Sequence, residues 1–112
     1  MVPRALPSSS SMKVEISKDL EDLIPGYLDG IRKTVNDYKD FLSRDDWENL
    51  RVHGHRMKGS GGGYGFHFLT EKGKQIEDAA KEKDGDSIKA AITELDEYLG
   101  TLEIEFVDSE DW

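Results

Sequence analysis

The chain of 112 residues has no cysteine. That excludes a disulfide framework, thiolate zinc sites and cysteine nucleophiles. It also lacks any basic excess: fifteen Lys and Arg face twenty-four Asp and Glu, for a net charge of −9. Non-specific nucleic-acid binding and docking on anionic lipid both need a cationic footprint, so neither is expected. No apolar run approaches the roughly 20 residues of a membrane-crossing helix. Val2 to Ser11 holds no apolar segment of the kind a secretory signal requires. Hydrophobic residues make up 36% and charged residues 35%, which leaves one small core under a heavily charged surface. The expectation is a cytoplasmic, monomeric single domain with no nucleic-acid or membrane partner. What the chain does hold is glycine, eleven in all, crowded between Gly54 and Gly73.

Residues 1–12, with Pro3, Pro7 and the run Ser8 to Ser11, read as a flexible tail, either a cloning remnant or a linker. The folded unit is expected over 13–103, followed by an acidic tail over 104–112 that mixes carboxylates with Ile104, Phe106 and Trp112. Between the tails the periodicity is helical throughout, and no alternating run of strand length competes. Ser17 is expected to cap a short extra helix through Leu20, Leu23 and Ile24, which Pro25-Gly26 interrupts. Leu28, Ile31, Val35, Tyr38 and Leu42 then step by three and four along one face. Asp45 and Glu48 predict a capping box opening a helix that carries Leu50, Met57 and Tyr64. Leu69, Gly73, Ile76 and Ala80 make a third stripe. Asp86 is expected to cap the fourth, which runs through Ile88, Ala91, Ile92, Leu95, Leu99 and Leu102. Short turns between such stripes predict an all-α, up-and-down antiparallel four-helix bundle with a short extra N-terminal helix.

The chemistry concentrates in His53 to Phe66. At about 100° per residue, Leu50, Gly54, Met57, Gly61, Tyr64 and Phe68 share the core face. His55 then points about 160° away from Met57, toward solvent, with Arg51, Lys58, Gly59 and Gly62 within about 60° of it. A neutral imidazole, with an unperturbed pKa of about 6.5, is a nucleophile near neutrality. If it attacks phosphorus, the product gains nearly two negative charges, which Lys58 and Arg51 would offset. Gly59 and Gly62 would leave room for the group and for an approaching backbone. Spacing alone does not choose between this role and an ordinary surface histidine among solvated cations.

The run His55-Arg56-Met57-Lys58-Gly59-Ser60, followed by Gly65, Leu69, Gly73, Ile76 and Glu77, resembles the histidine-containing phosphotransfer (HPt) domain. That signature is a histidine, two residues, Lys-Gly-Ser, and a glycine ten residues after the histidine. The resemblance spans about residues 16 to 102 and includes an Ile-Pro-Gly-Tyr-Leu opening helix. It implies a four-helix bundle that relays a phosphoryl group between receiver-domain aspartates. By position, His55 would be the phosphorylated residue, through its outward Nε2, with Lys58 its charge partner and Gly59 the clearance position. Gly65 would end the His-bearing helix, and Glu77 falls where the family often has Gln or Glu near the imidazole. Partners implied are response-regulator receiver domains or a hybrid histidine kinase. No cofactor is expected on this chain, and Mg²⁺ would stay on the receiver.

Three rival readings are weaker. His53 and His55, two apart on a helix, diverge too far to chelate one metal ion, and His67 lies beyond Gly65. The glycines from Gly59 to Gly65 do not fit G-x-G-x-x-G, and Gly73-Lys74-Gln75 fails the P-loop pattern, so autonomous kinase activity is not expected. A sensor-kinase dimerisation helix would carry an acid where Arg56 stands. A helical adaptor that binds a signalling partner without phosphorylation stays open.

Overall fold

A computed structural model describes residues 12–108. The tail over 1–12, apart from Met12, and the end of the acidic tail with Trp112 lie outside the described residues. The chain opens with β1 (Met12–Ser17) and a 3₁₀ segment (Lys18–Leu23). Four helices follow: α1 (Ile24–Ser43), α2 (Trp47–Gly61), α3 (His67–Lys81) and α4 (Gly85–Thr101). β2 (Leu102–Val107) closes the described chain. Each helix packs on the next and α4 returns to α1, the square arrangement that short connections between amphipathic helices produce. The predicted bundle is therefore present. Its stripes are the core: Leu28, Ile31, Val35, Tyr38, Leu50, Met57, Leu69, Ile76, Ile88, Ala91, Ile92 and Leu95 are all buried.

The all-α bundle stands as expected, and two short strands correct only the expectation that no alternating run of strand length competes. Lys13 and Glu15 are exposed while Val14 and Ile16 turn inward, and Glu103 and Glu105 alternate with Ile104 and Phe106 in the same way. This is period-two patterning, in six-residue runs that the surrounding helical stripes overshadow. The strands pair in parallel, Met12 with Leu102 through Ser17 with Val107, and the whole bundle is the crossover that parallel pairing needs. Residues 104–107, assigned above to an acidic tail, are thus part of the folded unit. A lone two-stranded ribbon is marginal in water. This one is anchored by Ile16, 1% exposed. The predicted extra helix is the 3₁₀ segment, capped by Ser17 Oγ accepting from Asp19 N–H at 3.1 Å. Pro25 does not interrupt a helix but sits in the first turn of α1, where its missing N–H is harmless.

The three interhelical turns share one device. Asp46 N–H donates to Phe41 C=O at 2.8 Å, Phe66 N–H to Gly61 C=O at 2.8 Å, and Asp84 N–H to Ala79 C=O at 2.9 Å. These five-residue spans are Schellman closures, each with a left-handed residue just before the donor. Those residues are Asp45 (φ 54°), Gly65 (φ 93°) and Lys83 (φ 54°). The caps move accordingly. Asp46, not Asp45, accepts from Asn49 N–H at 3.2 Å, because Asp45 is occupied in the left-handed position. Asp84, not Asp86, accepts from Ser87 N–H at 3.1 Å. Lys83 is exposed and holds a conformation that disfavours an L side chain by roughly 1–2 kcal/mol. Lys83→Gly is expected to stabilise the protein by about 0.5–1 kcal/mol in urea unfolding, and Lys83→Ala to leave stability unchanged.

Candidate functional site

His55 lies in the third turn of α2, one residue after Gly54 and two before Met57. Gly54 and Met57 are buried, so the helical twist turns His55 outward, and its side chain is 64% exposed. The opposite end of the imidazole is not free. Its Nδ1 lies 3.0 Å from Glu77 Oε2, across the α2–α3 interface. Lys58 Nζ lies 2.9 Å from the other oxygen, Oε1, and Lys81 Nζ lies 3.9 Å from Oε2. Glu77 is only 8% exposed. One nearly buried carboxylate thus holds the imidazole and two ammonium groups. An ionised carboxylate only accepts hydrogen bonds, so it fixes the proton of neutral His55 on Nδ1 and leaves the lone pair on Nε2, facing solvent.

The hydrogen bond from Lys58 holds the Glu77 carboxyl below the usual glutamate range, with a smaller contribution from His55, against the opposing effect of burial. Because its folded pKa is depressed, Glu77 contributes stability that is full above the unfolded value. That contribution is lost as pH falls through the folded one.

The crossing of α2 and α3 makes this arrangement possible. A Cβ on Gly73 would lie 2.4 Å from Lys58 N and 2.7 Å from Gly54 O; one on Gly54 would lie 2.8 Å from Glu77 N. The two helix backbones touch at these glycines. Glu77 stands one turn beyond Gly73, and so reaches the turn that carries His55 and Lys58. At the end of α2, Gly61 is equally crowded, its Cβ position 2.7 Å from Thr70 N. Thr70 Oγ1 donates to Lys58 C=O at 2.9 Å and accepts from Gly62 N–H at 2.7 Å. The triple glycine is therefore clipped to α3. The site helix ends at Gly61, runs through a 3₁₀ turn and stops at left-handed Gly65, where a Cβ would also meet Ile16 Cδ1 of β1 at 2.8 Å.

The remaining sequence-selected residues sort by geometry. Gly59 is exposed, with nothing within 4 Å of a Cβ placed there. Gly62 is not the open ground expected of it, because Thr70 covers it at 3.4 Å. Arg51 stands a turn before His55 but is held by Glu48 at 2.6 Å. His53 points elsewhere than His55. It is half-buried, its ring 5.0 Å from Phe41 of α1 and its Nδ1 2.9 Å from Asn49 O. The two histidines therefore serve opposite interfaces, His53 toward α1 and His55 toward α3. His67 is exposed at the start of α3. Sequence reasoning missed Lys81, whose signal was its i,i+4 spacing from Glu77. It also missed Tyr38, whose buried hydroxyl donates to His53 C=O at 3.0 Å and steadies the site helix.

A family model described as the Hpt domain matches residues 15–105. No curated protein and no solved structure matches the chain. Among the described residues, no helix is long and apolar enough to cross a membrane.

Gly73→Ala is expected to destabilise the protein by about 1–3 kcal/mol, because the added methyl must push α3 off α2. Gly59→Ala should instead stabilise it by up to about 1 kcal/mol, since the new methyl meets nothing and alanine favours helix. Urea unfolding of the two variants checks both signs.

Proposed function

From the chain's membership of the Hpt domain family, which the match over residues 15–105 shows, we propose that it is a cytoplasmic, monomeric phosphocarrier in a multistep two-component phosphorelay. The phosphoryl group rides on His55 Nε2 and passes to and from aspartates of receiver domains, free or within a hybrid histidine kinase. The observation that carries this reading is the Glu77 contact, which occupies Nδ1 and turns Nε2 outward.

The chemistry follows from that orientation. The Nε2 lone pair attacks the phosphorus of a receiver's aspartyl phosphate in line with the bond to the carboxylate oxygen. The N–P bond forms as the P–O bond breaks, and the electron pair leaves with the aspartate carboxylate. The imidazole keeps its Nδ1 proton and becomes cationic, a charge that Glu77 stabilises at 3.0 Å. Lys58, 35% exposed, stands one turn from the new phosphoryl oxygens, and its ammonium can turn from Glu77 toward them. Return transfer reverses each step. The chain works as a relay intermediate with no kinase activity of its own. Mg²⁺ would belong to the receiver's acid pocket, since Glu77, the carboxylate beside His55, is already engaged by the imidazole and by Lys58. Gly59 leaves the clearance that a docked receiver needs.

His55→Gln is expected to abolish the acid-labile, base-stable phosphate formed on incubation with a phosphorylated receiver, while His53→Gln and His67→Gln retain it. Partner binding without any phosphate on the wild-type chain would favour the adaptor reading instead. Lys58→Ala and Glu77→Gln should each slow transfer about 5- to 150-fold, the equivalent of roughly 1–3 kcal/mol for one charge-assisted contact. Rapid-quench transfer kinetics measure this. Unchanged rates would make the Lys58 and Glu77 contacts at His55 structural.

A further inference from the structure

The ribbon of β1 and β2 has two strands only. Among the described residues each strand therefore keeps one edge whose backbone N–H and C=O groups have no strand partner. The two strands are covered differently. In β1, Ile16 and Ser17 are 1% and 8% exposed. In β2, Leu102, Ile104, Phe106 and Val107 are all no more than half-buried. Most devices that ordinarily block an open edge are missing from β2. Its sequence, Leu-Glu-Ile-Glu-Phe-Val, has no proline and no lysine, and its residues pair one to one with β1, without a bulge. Only its glutamates guard it. The charge on the ribbon is also unbalanced, since Lys13 is its one base against the exposed Glu15, Glu103 and Glu105. Lys13 Nζ lies 2.9 Å from Glu105. Yet Glu105 stands directly opposite Glu15 in the register, a like-charge pairing that disfavours the sheet.

We infer that the free edge of β2 takes an extended segment of a partner protein as a third strand, and that this segment alternates basic with apolar residues. A strand added about 4.8 Å away sets its outward side chains beside Glu103 and Glu105 and its inward ones beside Ile104 and Phe106. The basic residues complete the charge pattern that Lys13 serves alone, and the apolar ones cover what the bundle leaves half-buried. Three strands on an apolar face also hold together in water where two are marginal. Main-chain hydrogen bonds give such an edge its affinity for extended chain, and the glutamates choose which chain. A second copy of the protein is refused, because β2 against β2 sets glutamate beside glutamate in either direction. The inference does not depend on the phosphocarrier reading.

The probe is a fluorescent, end-blocked peptide, Lys-Val-Lys-Ile-Lys-Val, titrated with the full chain and followed by anisotropy. It is expected to bind saturably, and to slow amide hydrogen exchange along Leu102 to Val107. Three related peptides are expected to bind at least tenfold more weakly. Lys-Lys-Lys-Val-Ile-Val keeps the charge without the alternation, and Glu-Val-Glu-Ile-Glu-Val keeps the alternation with the wrong charge. The third is the probe with every backbone N–H methylated, which cannot form the ladder. Glu103→Lys should weaken the probe at least tenfold. Glu71→Lys makes the same charge change at an exposed position of α3 and should alter binding less than twofold. Equal binding of the block peptide, or slowed exchange confined to residues outside β2, means plain charge attraction and overturns the added strand. No saturable binding at millimolar probe overturns it as well. A dimer of the chain alone in sedimentation, dissociated by the probe, gives the edge to a second copy and overturns the partner segment.

Discussion

Everything at the site depends on the contact of two helix backbones at Gly54 and Gly73. A side chain at either position would intrude to within 3 Å of the facing backbone, so the helices can come this close only as glycine. That closeness sets the reach of Glu77. A glutamate with three side-chain torsions spans the gap to both His55 and Lys58 at hydrogen-bond distance; with α3 further away it would meet water. The helical repeat does the rest. Gly54 precedes His55 by one residue and Gly73 precedes Glu77 by one turn, so the crossing point and the polar cluster are a single piece of geometry.

The same contact decides the electrostatics. A nearly buried carboxylate is unfavourable unless its charge is compensated. Here Lys58 is the larger compensating contact and His55 the smaller. Glu77 therefore takes its main compensation from an ammonium group rather than from the imidazole. A phosphoryl group on Nε2 would compete with Glu77 for the Lys58 ammonium, while the ring, cationic once phosphorylated, would hold Glu77 more tightly. In the proposed phosphocarrier, charge would thus move between partners without any group becoming orphaned, as a carrier that both accepts and releases its cargo requires.

Much of this was legible in the residues. The four apolar stripes placed the core, and the twist of α2 placed His55 on the surface. Sequence did not distinguish among adjacent acids at the turns. Asp45 and Asp46, or Asp84 and Asp86, are equally good caps by type, and the left-handed closure of the preceding helix selects between them. The strands escaped for a different reason: β1 and β2 are alternating runs of six residues that pair across the entire bundle, so neither has a local partner to announce it. The link between His55 and Glu77, 22 residues apart, was available only through a family resemblance. No periodicity within one helix reports which residue of the next will face it.

The glycines offer the last discrimination, because one residue type serves two physical ends. Gly54, Gly61 and Gly73 exist for contact, and Gly65 for a left-handed turn. These four explain how a run as rich in glycine as 59–65 still forms an ordered site, with Thr70 fastening the end of α2 to α3 from the side. Gly26, Gly30 and Gly59 answer to neither end. Their Cβ positions are empty, and alanine at any of them would strengthen the isolated helix. A fold that uses glycine so strictly on its α3 side, and leaves it bare along α1 and the outer edge of α2, is asymmetric about the site helix. One side of α2 is fixed by the chain's own backbone. The other leaves the Cβ positions of Gly26, Gly30 and Gly59 uncovered.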